Sequence, residues 1–179
     1  LCAPTRPYFG ENIKDIMYKY NHISAFGAMI FDETRGRVIP GAKGRPIISY
    51  WLCKEDVKKA SKAIAYTAEI YFAAGAKRVF PAVCWMPEMS SVRDVRTLLQ
   101  RGVKASELEM MAFHPMGTCR MGSERKNSVV NPYCESWDVK NLFIADASIF
   151  PTCLGVNPME SIMAFANRCA DYIHQIKLS

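Results

Sequence analysis

The amino-acid sequence predicts an α+β fold. Three observations carry this expectation. Extended apolar runs alternate with glycine- and proline-marked turns between residues 24 and 52. Two stretches, residues 55–74 and 91–100, repeat apolar side chains at helical spacing. Residues 141–171 read as strand, loop and helix in succession.

Residues 1–20 say little, and Pro4 and Pro7 argue against an early helix. Residues 24–31, SAFGAMIF, suit a strand, and 32–36 a turn. Residues 37–40 continue extended, 41–44 form a second turn, and 46–52 are rich in Ile, Tyr and Trp. The runs flanking the second turn can pair as a hairpin. In the helix over 55–74, Glu55 and Asp56 occupy the first turn, where they favour the dipole. Val57, Ala60, Ile64, Thr67, Ala68 and Tyr71 make its apolar face, and Gly75 is a natural stop. Residues 76–80 read as a short strand. Residues 81–87 form a loop whose Trp85 and Met86 either line a pocket or fill a satellite core. The helix over 91–100 shows Val92, Val95, Leu98 and Leu99 on one side and ends at Gly102. Residues 106–111 fit a strand or a helical turn equally well.

Residues 113–122, FHPMGTCRMG, set two glycines and a proline among bulky apolar residues. That is a loop with inward demands. A strand over 142–145 follows, closed by Asp146, then a loop with Pro151 and Gly155. Asn157 stands where an N-cap belongs and Pro158 where a first helical residue belongs. Ile162, Met163, Phe165, Ala166, Cys169, Ala170 and Ile173 then line one helical face. The start of such a helix carries free N–H groups and favours negative charge.

A chain of 179 residues suffices for one ordinary domain with a real core, and no repeat or linker marks an internal boundary. The net charge of +6 comes from scattered basic residues, densest at Lys58, Lys59 and Lys62 and at Arg120, Arg125 and Lys126. Neither group makes the basic-aromatic pattern of a nucleic-acid surface, so no nucleic-acid partner is expected. The seven cysteines contain no CxxC and no Cys/His framework of zinc-site spacing, so no metal is expected. Their odd count and wide scatter suit reduced thiols and a cytoplasmic location. No run of about 20 apolar residues predicts a membrane span. The opening LCAPTRPYFG lacks an initiator Met and the layout of a signal peptide, which suggests a piece of a longer chain.

His114 is one of three histidines, with His22 and His174. Its reference pKa lies nearest neutrality, which makes it the default proton shuttle. Gly117 permits close approach of backbone to a ligand. Ser148, His114 and Asp146 can be drawn as a hydrolase triad, but no GxSxG elbow supports one.

HPMGTCRMG, residues 114–122, resembles one carboxyl-terminal signature of the glucose-methanol-choline (GMC) flavoprotein oxidoreductases. NLFIADASIFPTCLGVNP, residues 141–158, resembles the second, in matching order and separation. GRPIISYWL, the helix from Glu55 and FAAGAKRVF look like the long-chain alcohol oxidase branch. The resemblance implies an FAD-dependent enzyme whose GxGxxG lies in an amino-terminal half that has no counterpart in this sequence. Residues 1–112 are then part of a substrate-binding region built on an antiparallel sheet. Residues 113–179 are the active-site loop and a strand–loop–helix that returns to complete the FAD-binding α/β fold.

By the same resemblance, His114 takes the alcohol proton as hydride leaves for flavin N5, and Asn157 holds the substrate oxygen. Pro158 and Met159 lie beneath the pyrimidine edge of the flavin, where N–H groups and the dipole favour negative charge. Asp146 and Ala147 lie beside the ribityl-pyrophosphate part. Trp85, Met86, Phe113 and Met116 are expected to line an apolar approach for a small-molecule alcohol. The reading is an oxidase of apolar or long-chain alcohols that works with its missing half. A dehydrogenase with a quinone or other acceptor, and a noncatalytic supporting subunit, are the alternatives.

Overall fold

The structure, a computed structural model, describes residues 11–178. Among them are four α-helices: α1, Glu11–Tyr18; α2, Lys54–Ala73; α3, Val92–Arg101; and α4, Met159–Leu178. One two-stranded sheet joins β1, Arg37–Pro40, to β2, Pro46–Ser49. The α+β expectation therefore holds in coarse form. The chain forms two compact units, Leu1–Ile30 with Trp51–Met111, and Phe31–Tyr50 with Ala112–Ser179.

The first unit is built on α2. Asp56, fully buried in the first turn, accepts from the Cys53 thiol at 3.2 Å and from Lys59 Nζ at 3.3 Å. Both donors stand beside a helix start whose dipole also favours the carboxylate. Ala60, Ala65 and Ala68 are buried on α2. Side chains this small let other elements pack close to the helix axis, and α2 packs against α3. Val79, Val83, Met86, Met89, Val95 and Leu98 complete the core with Ala65 and Ala68. Gly102 ends α3 in a left-handed conformation, φ 74°.

Three expectations differ here. Residues 24–31 form no strand, because the Phe26 amide goes to Tyr71 Oη (2.6 Å) and its ring packs on Tyr71 at 4.3 Å. Residues 76–80 contribute one bridge, Val79 to Met89, rather than a strand. A helix, α1, forms after the early prolines, which themselves lie outside the described residues.

The second unit contains the hairpin that the sequence suggests, with Val38 opposite Ile48 and Ile39 opposite Ile47. Its core is Val130, Cys134, Ile149 and Cys169, with Phe143, Ile144, Phe165 and Ile173 packed against them. The expected strand over 142–145 is reduced to a bridge between Glu135 and Phe143 and an Ile144 N–H donated to the Cys134 carbonyl at 3.0 Å. With so few neighbouring backbone groups to pair, a strand cannot extend. The α4 helix begins one residue later than the sequence suggests. The buried Pro158 carbonyl accepts its first bond, from Ile162 N–H at 2.8 Å.

Candidate active site

The candidate site lies in the second unit, where two loops run side by side. The first is 113–122. Gly117 adopts φ 85°, and a Cβ there would lie 3.6 Å from the Phe150 carbonyl oxygen and 3.8 Å from that of Pro151. That is ordinary contact, so the position is closed to other residues by its backbone conformation rather than by crowding. Further along, Cys119 N–H donates to the Ser148 carbonyl at 3.0 Å and Met121 N–H to the Ile149 carbonyl at 2.7 Å. On its other side, Gly122 N–H donates to Val130 O at 3.1 Å, and Arg120 Nε reaches Asn127 O at 2.6 Å. The loop is thus held from both sides just beyond His114, which is half-buried between the exposed Phe113 and Pro115.

The second loop is 146–158. The Asp146 carboxylate accepts from Ser148 N–H at 2.8 Å and from the Ser148 hydroxyl, which fixes a single helical turn, Ala147–Ile149. Phe150 meets Phe165 of α4 edge-on at 5.3 Å. The chain passes Gly155, whose φ of 70° brings it against the Phe31 ring, and reaches the exposed Asn157. Met159 at the start of α4 is exposed, and its N–H precedes the first intrahelical donor, that of Ile162.

His114, Met116, Asp146, Ala147, Asn157, Pro158, Met159 and Phe113 therefore all belong to one unit. Trp85 and Met86 belong to the other. Met86 is buried in that unit's core, and Trp85 packs on the same core beneath the Arg101 guanidinium, 3.9 Å from its ring centroid. No group of His, Cys, Asp and Glu able to hold a metal occurs among the described residues. The sequence gives no sign of the carbonyls of Ser148 and Ile149 as anchors, because backbone acceptors leave no mark on residue type.

The donor set can be tested against a flavin. An exposed helix start offers N–H groups to neutral or partly negative carbonyl oxygens. Glu160 in the same first turn disfavours a fully charged phosphate there. The carboxylate of Asp146 already accepts from Ser148, so part of its acceptor capacity is committed within the turn. The α4 start fits a flavin's pyrimidine edge better than its pyrophosphate.

A family model described as GMC oxidoreductase, for the carboxyl-terminal domain, matches residues 33–166. This chain belongs to the GMC oxidoreductase family. Long-chain-alcohol oxidase FAO4A of Arabidopsis thaliana is 30% identical over 164 residues, 87% of this chain and 22% of the relative. An uncharacterised GMC-type oxidoreductase of Mycobacterium tuberculosis is 32% identical over 165 residues, 92% of this chain and 26% of the relative. The 2-methyl-1,2-propanediol dehydrogenase of Mycolicibacterium austroafricanum is 49% identical over 61 residues, 34% of this chain and 11% of that enzyme. Among solved structures, pyridoxine 4-oxidase from Mesorbium loti aligns with a TM-score of 0.48 and 22% identity, over 81% of this chain and 28% of that one. The GMC chain spans about a quarter of the length of these first relatives.

Proposed function

We propose that this GMC chain is the base-bearing, carboxyl-terminal part of an FAD-dependent enzyme that oxidises the CH–OH group of an alcohol. The observation that carries the reading is the pairing of the two signature loops. Backbone bonds from Cys119 and Met121 to Ser148 and Ile149 hold the His114 loop against the loop that leads to Asn157 and α4. Family membership supplies the reaction class, and the long-chain-alcohol oxidases among its relatives favour an apolar alcohol.

When bound, the flavin supplies the hydride acceptor. Every other task falls to protein groups. His114 takes the hydroxyl proton, which raises electron density on the carbinol carbon and lowers the barrier to hydride loss. The Asn157 amide donates a hydrogen bond to the substrate oxygen and does not titrate, so it cannot replace the base. The N–H of Met159 and the α4 dipole stabilise negative charge on the flavin edge. Pro158, buried, fixes the helix start, while Asp146 and Ala147 shape the turn beside the ribityl-pyrophosphate part. Phe113 and Met116 give the approach its apolar character. Because Met86 fills a core and Trp85 packs on it, the substrate reading rests chiefly on Phe113, Met116 and the relatives.

In this proposal residues 1–112 belong to the substrate-binding region and 113–179 to the active-site and flavin-facing region. The remainder of the flavin site lies in polypeptide outside this chain. Purified with that remainder, the protein is expected to retain flavin absorbance through gel filtration and to lose it on anaerobic addition of alcohol. Failure to carry or take up FAD would remove the reading. The 2-methyl-1,2-propanediol dehydrogenase likeness keeps a second electron acceptor in view. Peroxide formed per alcohol consumed in air separates the two: near one for an oxidase, near zero for a dehydrogenase.

A further inference from the structure

Two buried thiols in the second unit take no part in the chemistry proposed above. Of the six cysteines among the described residues, only Cys134 and Cys169 are buried. They share one core with Val130 and Ile149, at 0% and 3% exposure, and their thiols hydrogen-bond to each other. Cys169 stands on α4, and Cys134 on the turn that starts at Asn131.

The backbone of Cys134 is not relaxed. Its φ is 69°, a left-handed conformation that disfavours a residue with a side chain. The surrounding bonds impose it. Cys134 N–H donates to the Asn131 carbonyl at 3.0 Å, and the Asn131 side-chain oxygen accepts from Tyr133 N–H at 2.8 Å and Glu135 N–H at 3.1 Å. The Cys134 carbonyl in turn accepts from Ile144 N–H at 3.0 Å. Strain that its surroundings hold in place gathers at functional positions. Contacts beside the thiols pin the same turn to α4. Tyr133 stacks on Tyr172 at 4.4 Å, and the Arg168 guanidinium donates to the Pro132 carbonyl. The two sulfurs cannot drift apart without disturbing those contacts.

We propose that Cys134 and Cys169 form a reversible disulfide site that braces the span between them, which carries Asp146, Asn157, Pro158 and the start of α4. The oxidant is a hydroperoxide from solution, so the inference stands apart from the flavin reading. Cys169, the less completely buried thiol, loses its proton and attacks the peroxide. An S–O bond forms, the O–O bond breaks, and the departing hydroxide takes up a proton and leaves as water. The Cys134 sulfur then attacks the sulfenic sulfur. An S–S bond forms, the S–O bond breaks, and the departing hydroxyl carries off the Cys134 proton as a second water. Two electrons pass from the pair of sulfurs to the peroxide. Burial pushes the Cys134 thiol up to about 11, which keeps the pair reduced until the turn opens locally to the oxidant.

Peptide mapping tests this on the protein joined to its remaining polypeptide. Accessible thiols are first capped with iodoacetamide in the native state, hydrogen peroxide is added, and the protein is digested with trypsin without reductant. The expected product joins the peptide of residues 127–140 to that of residues 169–177, two hydrogens lighter than their sum. It is absent before peroxide and disappears on adding dithiothreitol. In urea titrations the oxidised protein is expected to unfold with an equilibrium constant lower by roughly 30-fold or more, and dithiothreitol is expected to cancel the shift. Cys169→Ser loses both the joined peptide and the shift, whereas Cys53→Ser, at an exposed thiol, keeps both. Cys134 and Cys169 that both remain open to alkylation once the peroxide-treated protein is unfolded overturn the proposal. So does sulfinic or sulfonic acid at either position without the joined peptide, and so does a joined peptide that leaves the urea midpoint where it was.

Discussion

His114 and Cys134 stand in opposite surroundings within one unit, the one half-buried and the other fully buried. His114 stands half-buried on a loop that is stapled just beyond it, a position from which a base can reach a ligand. His114→Ala is expected to leave flavin content intact and to slow anaerobic flavin reduction by roughly 10²–10⁴-fold, the usual scale for loss of a general base. Stopped-flow absorbance measures it, and a loss under about threefold would place the base elsewhere. Cys134 is fully buried, and its thiol is pushed up to about 11, chiefly by burial and then by the neighbouring Cys169. The folded state thus holds the proton more tightly than the unfolded one. That contribution is complete below pH 9, the ordinary value, and is lost as pH rises through 11. The stability difference between wild type and Cys134→Ala is expected to shrink by roughly 2–3 kcal/mol over that window, in denaturant titrations at successive pH values. A pH-independent difference would mean that the thiol ionises in the native state as freely as in the unfolded one.

At the scale of elements, helix ends decide more than helix interiors. The carboxylate of Asp94 accepts from Ser90 N–H at 2.8 Å, Ser91 N–H at 2.9 Å and the Ser91 hydroxyl at 3.2 Å, closing the start of α3. The Ser90 amide is the main reason its pKa is lowered. Asp94→Ala is expected to cost about 1–2 kcal/mol, because it frees two backbone donors at once. The wild-type advantage is present above the ordinary carboxylate range and disappears as pH falls below it, so thermal melts at pH 7 and pH 2.5 should diverge and converge respectively. Gly117 is the corresponding control point in the candidate site. Gly117→Ala meets no close atom, yet φ 85° strains any side-chain-bearing residue, so about 1 kcal/mol of loss is expected from the backbone alone. A loss several times larger, read from urea midpoints, would show that the loop against Phe150 is more tightly packed than its distances indicate.

For the whole molecule, the substrate proposal makes a graded prediction. Phe113 is 75% exposed in this chain, an apolar surface that a sugar has little use for. Each methylene buried on such a surface contributes about 0.8 kcal/mol, or roughly fourfold in kcat/KM, until the channel is filled. A series of linear alcohols from about two to sixteen carbons, assayed by flavin reduction on the joined protein, is expected to rise on that slope and then level off. A flat response, or preference for a sugar or a choline-like cation, would sink the apolar-alcohol assignment and leave the family membership untouched.

The sequence by itself determined the features that depend on local chemistry. The span of α2, the Gly102 stop of α3 and the hairpin around residues 41–44 all follow from periodicity, caps and glycine freedom. It also determined the family, because two loops with specific residues at fixed separation are hard to reach by chance. The α1 helix was legible too, since Ile13, Ile16 and Met17 recur at helical spacing, but the early prolines masked it. Tertiary structure decided where backbone groups found partners. The apolar run at 24–31 gave its Phe26 amide to a tyrosine hydroxyl, and the run at 142–145 gained a bridge instead of a ladder. It also decided that Trp85 and Met86 pack in one unit while His114 and Asn157 share the other. Apolar side chains carry no label that distinguishes core from channel; only the neighbours that remove them from water do that.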